Sequence, residues 1–137
     1  MKYGILLITI VLLFACNSSH KKGNTAIENG ITLNEGEKWT INEEMIPHIM
    51  ESEKELDNYI KSKNTDFRML ANKMKEQNSN LIKSCTMDGT AHDELHKWLH
   101  PHMELIDNLE KAKNLDESQL IINQLVQSFD TFSNYFN

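Results

Sequence analysis

The sequence predicts an all-α protein, an up-down-up-down four-helix bundle over residues 39–137 that follows an N-terminal signal peptide and a flexible tether. Apolar residues recur at helical spacing throughout 39–137. This region also holds one glycine, Gly89, and two prolines, Pro47 and Pro101, so little interrupts the helical pattern. The links between periodic segments are only a few residues long, which favours antiparallel packing of consecutive helices.

The N-terminus has the pattern of a lipoprotein signal peptide. One lysine precedes an apolar run over residues 5–15, which is about the length of a signal-peptide core and too short to span a bilayer comfortably. The run ends in Leu-Phe-Ala-Cys16, which resembles the bacterial lipobox. The resemblance implies that residues 1–15 are cleaved and that Cys16 becomes a lipidated N-terminus. We therefore expect membrane anchoring through lipid on Cys16, without a membrane span.

Residues 16–38 are expected to form a flexible tether after the lipidated cysteine. They are polar, hold three of the five glycines and show no sustained periodicity. Together with C-T-M-x-G, H-D-E-L-H-K-W-L-H-P-H and S-N-Y-F in the domain, the N-terminus resembles small Bacteroidota-type lipoproteins with a four-helix-bundle domain of unassigned activity. In such lipoproteins acidic residues after the cysteine accompany surface display. Ser-His-Lys-Lys at 19–22 instead implies the periplasmic face of the outer membrane.

The periodic segments predict four helices, at about 42–62, 65–86, 90–113 and from Asp116 onward. Pro47 must lie in the first turn of the first helix or kink it. The apolar stripes expected to face the core are Met45, Ile49, Leu56, Tyr59 and Ile60, then Phe67, Leu70, Ala71, Met74, Leu81, Ile82 and Cys85, then Ala91, Leu95, Trp98, Leu105, Ile106 and Leu109, then Ile122, Leu125, Phe129, Phe132 and Phe136.

Two helix starts have recognisable sequence signals. Thr90-Ala-His-Asp resembles a capping box for the third helix. In the fourth helix, Asp116 is the expected N-cap with Gln119 at N3, and Leu115 and Leu120 occupy the positions of a hydrophobic staple.

Charge and motif content exclude several functional classes. The formal net charge of −6 argues against nucleic acid or anionic lipid headgroups as partners. The sequence has no G-x-S-x-G, P-loop, dinucleotide fingerprint or H-E-x-x-H, and C-x-x-C is absent too. We therefore do not expect an enzyme.

The richest stretch in potential metal ligands lies between Cys85 and His102. It holds four of the six histidines and the only cysteine besides Cys16. If lipid occupies the Cys16 sulfur, Cys85 has no disulfide partner in the chain. His102 falls within the apolar stripe of the third helix, and we expect a core histidine that is hydrogen-bonded to a neighbour.

Three further histidines share one flank of the third helix. His92, His96 and His100 follow each other at i, i+4 and i+8, a spacing that suits chelation by adjacent turns. In an up-down bundle, the start of the first helix, the turn after the second and the start of the third meet at one end. A soft-metal site for copper or zinc would then use the side chains of Cys85, Met87, His92, His96 and His48.

Two roles therefore remain open from the sequence. The first is a structural or partner-binding lipoprotein of the cell envelope, with histidines on the surface and Cys85 as a small core residue. The alternative is a periplasmic carrier or buffer for copper or zinc. Softness decides the choice of metal, because thiolate and thioether suit Cu(I) and imidazole suits copper or zinc.

Overall fold

The computed structural model describes residues 30–137 and contains four α-helices. The predicted signal peptide, Cys16 and the first part of the predicted tether lie outside the described residues. Each helix packs against the next one in the chain, so the predicted up-down-up-down bundle is confirmed. The helices are α1 (Ile46–Ser62), α2 (Phe67–Ser84), α3 (Gly89–Lys111) and α4 (Leu115–Tyr135).

The core consists largely of the predicted apolar stripes. Most of the expected side chains are buried, and Leu99 joins them without having been predicted. Ile60 and Ile82 are exposed by 44% and 48%, so their predicted burial is wrong. Both lie in the last turn of their helix, where the chain is about to leave the bundle. Helical periodicity marks the correct face but not how far along a helix that face stays covered.

The first helix begins at Ile46, four residues later than predicted. Pro47 lies in its first turn, as expected, because the backbone N–H groups there have no intrahelical acceptor to lose. Asn42, the predicted start, instead contacts the turn between α2 and α3. Its side-chain oxygen accepts a hydrogen bond of 2.8 Å from the backbone N–H of Thr86.

The predicted caps of the last two helices are displaced. The third helix begins at Gly89 after N-cap Asp88, one residue before the predicted start at Thr90. Gly89 has a left-handed φ of 68°, which glycine tolerates and most residues do not. The fourth helix is capped by Asn114, whose side chain accepts a 2.9 Å hydrogen bond from the backbone N–H of Glu117. With this start Leu115 is the first helical residue, so it cannot form the predicted staple.

The displaced start of α4 also leaves two leucines on the surface of that helix. Leu115 and Leu120 are exposed by 49% and 68%. The predicted Asp116 cap and the staple are therefore wrong. An Asn-x-x-Glu pattern two residues upstream competed with the predicted Asp-x-x-Gln pattern, and the carboxylate of Glu117 gains a further hydrogen bond from the backbone N–H of Lys113.

Residues 31–41 form a non-helical segment, here called the strap, that packs along the bundle. Ile31 and Ile41 are buried in the core. Trp39 makes two backbone hydrogen bonds to the C-terminus, donating to the carbonyl of Tyr135 at 2.8 Å and accepting from the N–H of Asn137 at 2.9 Å. The predicted boundary at residue 39 assigned Ile31 to the tether. Ile31 and Ile41 are too far apart in the sequence to show a periodicity that would distinguish Ile31 from a linker residue.

The antiparallel order gives the bundle two distinct ends. We call the end where α1 and α3 begin the site end; α2 and α4 finish there, and the strap crosses it. The opposite end, with the links at 63–66 and 112–114, is called the far end. Among residues 30–137, no helix combines the length and the apolar character that crossing a membrane requires.

Candidate metal site

A cavity of about 230 Å³ lies at the site end, between the start of α1, the end of α2 and the start of α3. Four of the five predicted metal ligands line it: Cys85, Met87, His92 and His96. Met45, which is the N-cap of α1, adds a second thioether. The remaining lining side chains are three leucines and one isoleucine. The cavity therefore combines soft or borderline donors with an apolar wall.

The turn between α2 and α3 presents the two sulfur groups. α2 stops at Ser84, so Cys85 is its C-cap and has an extended backbone conformation. Cys85 and Met87 are half-buried and pack against the hydrophobic core. Cys85 was expected on the helical stripe of α2, but its position one residue beyond the helix still directs it towards the bundle. The turn is tied to the chain before α1 by the hydrogen bond from Thr86 to Asn42.

Three histidines form a continuous ladder along the first three turns of α3. Nε2 of His96 lies 2.9 Å from Nε2 of His92. Nδ1 of His96 lies 2.8 Å from Nε2 of His100. The rings meet edge to face, with centroids 4.3 Å and 4.7 Å apart. The i, i+4 spacing predicted from the sequence therefore produces direct contacts between ring nitrogens.

The spacing of the first two histidines is suited to chelation. A metal–nitrogen bond is about 2.0–2.1 Å long, so nitrogens 2.9 Å apart subtend an angle of about 90° at a shared metal ion. Opening that separation by about 0.4 Å would give the tetrahedral angle. Binding one ion together would also require a free lone pair on each Nε2, so the hydrogen bond between the two rings would have to be given up.

His96 is held in its neutral form by its surroundings. Burial lowers the pKa of its imidazole below the usual value, and the neighbouring His92 and His100 lower it further, while Asp93 acts in the opposite direction. Only a neutral imidazole has a free lone pair for a metal. At neutral pH the middle histidine of the ladder is therefore available as a ligand.

A metal ion on Nε2 of His96 would decide which nitrogen of that ring carries the proton. A neutral imidazole donates from one nitrogen and accepts at the other. If Nε2 of His96 binds a metal, its proton must lie on Nδ1, which then donates to Nε2 of His100 at 2.8 Å. Metal-binding histidines are commonly oriented by such a second hydrogen bond. His100 thus supports the site without lining the cavity.

His48, the fifth predicted ligand, is not among the residues that line the cavity. Its Nδ1 lies 3.3 Å from the side-chain oxygen of Gln77 on α2. The sequence placed it at the right end of the bundle, but the helical rotation of α1 turns it towards another part of α2. Within the part of the chain that the structure describes, no three His, Cys, Asp or Glu side chains are grouped closely enough to hold a metal ion.

His102 belongs to the core, as predicted, and not to the cavity. Its ring stacks on Trp98 with centroids 4.7 Å apart. Nδ1 lies 2.9 Å from the hydroxyl of Ser128, and Nε2 is buried without a hydrogen-bond partner. Burial lowers the pKa of His102 to about 3. This histidine is therefore a neutral packing residue at physiological pH.

A buried carboxylate near the ladder was not foreseen. Glu94 accepts hydrogen bonds from the backbone N–H of Thr32 at 2.8 Å and from Lys97 at 2.6 Å. Burial would raise the pKa of Glu94, but these two donors outweigh it and hold the pKa below the usual value. Glu94 fastens the strap to α3. No sequence signal was available, because its backbone donor is 62 residues away in the chain.

The geometry thus places a thiol, two thioethers and two imidazoles around one cavity at the site end. Such a donor set suits copper or zinc better than calcium or magnesium, which prefer oxygen ligands. These contacts are the basis for any function assigned to the chain, since comparisons with protein-family models, with curated proteins and with solved structures find no match.

Proposed function

We propose that this protein is a lipid-anchored protein of the bacterial cell envelope whose helical bundle binds a soft metal ion, copper or zinc. The anchor rests on Leu-Phe-Ala-Cys16 after the apolar run and on the resemblance to small Bacteroidota-type lipoproteins. By the same resemblance the protein is attached to the outer membrane and faces the periplasm. No catalytic role is proposed.

One observation supports metal binding over a purely structural or partner-binding role. Cys85, Met87, His92 and His96 were selected by residue type and topology, and all four line the same cavity. Surface histidines with no common role have no reason to meet a thiol and a thioether from a separate turn. The ladder contacts add to this argument, since Nε2 of His92 and Nε2 of His96 lie only 2.9 Å apart.

Binding would require a limited rearrangement. His92 and His96 already supply two nitrogens, and Cys85 must rotate towards them to supply a third donor. Cys85 lies outside any helix, so its side chain can change rotamer without breaking helical hydrogen bonds. Its thiol loses a proton to solvent as the metal–sulfur bond forms, and the thiolate offsets one positive charge of the ion.

The test is a titration of the reduced protein with Cu(I) in the presence of a competing Cu(I) chelator. We expect about one ion per chain in the wild type. Substituting both His92→Ala and His96→Ala should lower the affinity by well over tenfold, that is, by more than about 1.4 kcal/mol. Circular dichroism of the double variant should match the wild type, because neither side chain is fully buried.

The outcomes separate the two roles. A stoichiometry near zero, or an affinity that the double substitution leaves unchanged, would remove the metal role and leave the structural or partner-binding role as the proposal. The anchor is tested independently by mass spectrometry of the native N-terminus. An intact Met1 or an unmodified Cys16 thiol would refute lipid attachment.

A further inference from the structure

The cavity at the site end has an unusual chemical balance for a metal site. Among residues 30–137, no carboxylate, amide or hydroxyl side chain lines it. Of these described lining residues, Cys85 alone has a side chain that can become an anion, because the other donors are thioethers and imidazoles. The site can therefore offset a single positive charge.

This balance discriminates between the two candidate metals. Cu(I) with one thiolate and neutral ligands is electrically neutral, whereas Zn(II) with the same ligands keeps a net charge of +1. Leaving a net charge among leucine side chains is costly, because the apolar wall cannot replace the lost hydration. Asp93 is near enough to His96 to influence its pKa, but it is exposed and does not line the cavity. The geometry thus offers no second anion to a divalent ion.

The thioethers favour the same metal. Zinc in proteins is bound by cysteine, histidine and carboxylate ligands. Thioether sulfur is a soft ligand that suits Cu(I). Met87 lies in the turn between α2 and α3, where no helical stripe requires an apolar side chain, and it faces the cavity together with His92 and His96. Its three rotatable bonds allow the sulfur to approach an ion.

We propose that the site selects Cu(I) over Zn(II), with His92, His96 and, once its side chain has rotated towards them, Cys85 as ligands for either ion and Met87 as a ligand for Cu(I) alone. This inference rests on the proposed metal-binding function and sharpens it. The protein is then a carrier or buffer for monovalent copper in the envelope.

The discriminating variant is Met87→Leu, which removes the thioether and nearly conserves side-chain volume. The full chain is purified in detergent, with Cys16→Ser in every sample so that Cys85 is the only thiol. Affinities for Cu(I) and for Zn(II) are measured separately, each against a competing chelator. Ag(I), a monovalent ion that does not change oxidation state under these conditions, serves as a second probe.

We expect Met87→Leu to lower the affinity for Cu(I) and for Ag(I) by about tenfold or more and to leave the affinity for Zn(II) within about twofold. The matched control is Met69→Leu, because Met69 is exposed near the start of α2 and lines no part of this cavity. That control should leave all three affinities unchanged.

Each failure has a distinct meaning. If the wild type binds none of the three ions, the proposed function itself fails. If Zn(II) binds as tightly as Cu(I), or if Met87→Leu weakens Cu(I) and Zn(II) equally or neither, the metal role stands and the selection of Cu(I) is wrong. Unchanged Zn(II) binding in Met87→Leu also shows that the variant has kept the site, so loss of Cu(I) binding cannot be attributed to misfolding.

Discussion

The two ends of the bundle are closed by different forces. At the site end the strap buries Ile31 and Ile41 and is fixed by backbone hydrogen bonds to the C-terminus. Towards the far end the contacts are charged: Arg68 donates to the carbonyl of Ala112 at 2.9 Å, and Lys75 pairs with two carboxylates of α3. Burial of apolar area contributes far more to stability than exposed ion pairs do. The strap is therefore expected to contribute more to the free energy of unfolding than these charged contacts do.

The site end also holds the cavity lined by Cys85, Met87, His92 and His96. A cavity forfeits packing contacts, so it contributes little to folding on its own. At the same end the strap buries Ile31 and Ile41, and Glu94 links it to the helix that holds the ladder. Among the described residues, the cavities towards the far end contain no cysteine or histidine.

Removing the strap should have the largest effect. A chain that begins at residue 42 should be less stable than one that begins at residue 30 by about 3 kcal/mol or more, since full burial of each isoleucine contributes about 1.5–3 kcal/mol. Urea denaturation followed by circular dichroism measures the difference. Lys75→Ala, towards the far end, is the comparison and should cost less than about 1 kcal/mol. Equal losses from the two changes would contradict the contrast between the ends.

A second effect comes from His102 in the core. Because its pKa is about 3 in the folded protein and about 6.5 in the unfolded chain, the unfolded chain binds more protons between these values. Stability should therefore fall as the pH falls below 6.5, by up to about 1.4 kcal/mol per pH unit. His102→Gln keeps a hydrogen-bonding group and does not titrate. Urea melts at pH 6.5 and 5.0 should show a smaller loss for this variant, and equal losses would exclude His102 as the source.

The smallest expected effect is a difference in Cu(I) affinity between two histidine substitutions. His100→Ala should weaken Cu(I) binding by about tenfold, because it removes the ring nitrogen that would accept a hydrogen bond from Nδ1 of a metal-bound His96. His48→Ala should leave the affinity within about twofold, since His48 contacts Gln77 and does not line the cavity. The chelator competition described above measures both. A larger loss from His48→Ala than from His100→Ala would restore the ligand set predicted from the sequence.

Much of the fold could be predicted because a single physical rule generates it. Apolar residues at helical spacing must bury one face, and short links make consecutive helices antiparallel. The same rule placed His102 in the core beside Trp98, where the structure finds it. The caps of α3 and α4 could not be resolved in this way, because Asp88, Asn114 and Asp116 are all competent N-caps within a few residues of the predicted starts.

The candidate site, too, could be predicted from the sequence only in part. Residue type and topology selected Cys85, Met87, His92 and His96, and helix spacing brought the histidines within reach of one another. The exclusion of His48 from the cavity depends on the rotation of α1 about its axis, which its own sequence fixes only to within the width of an apolar stripe. Whether the four remaining residues bind a metal stays a prediction.

The sequence by itself determined the elements of this protein: four amphipathic helices, their antiparallel order, and a turn that holds sulfur beside a histidine-bearing helix. Only the tertiary structure decided that Ile31 belongs to the core, that Glu94 binds the backbone of Thr32, and that the cavity excludes His48. The physical reason is range. Helical periodicity is a local property that repeats every few residues. These three features instead involve segments that are far apart in the chain, and they depend on how whole helices are oriented against each other.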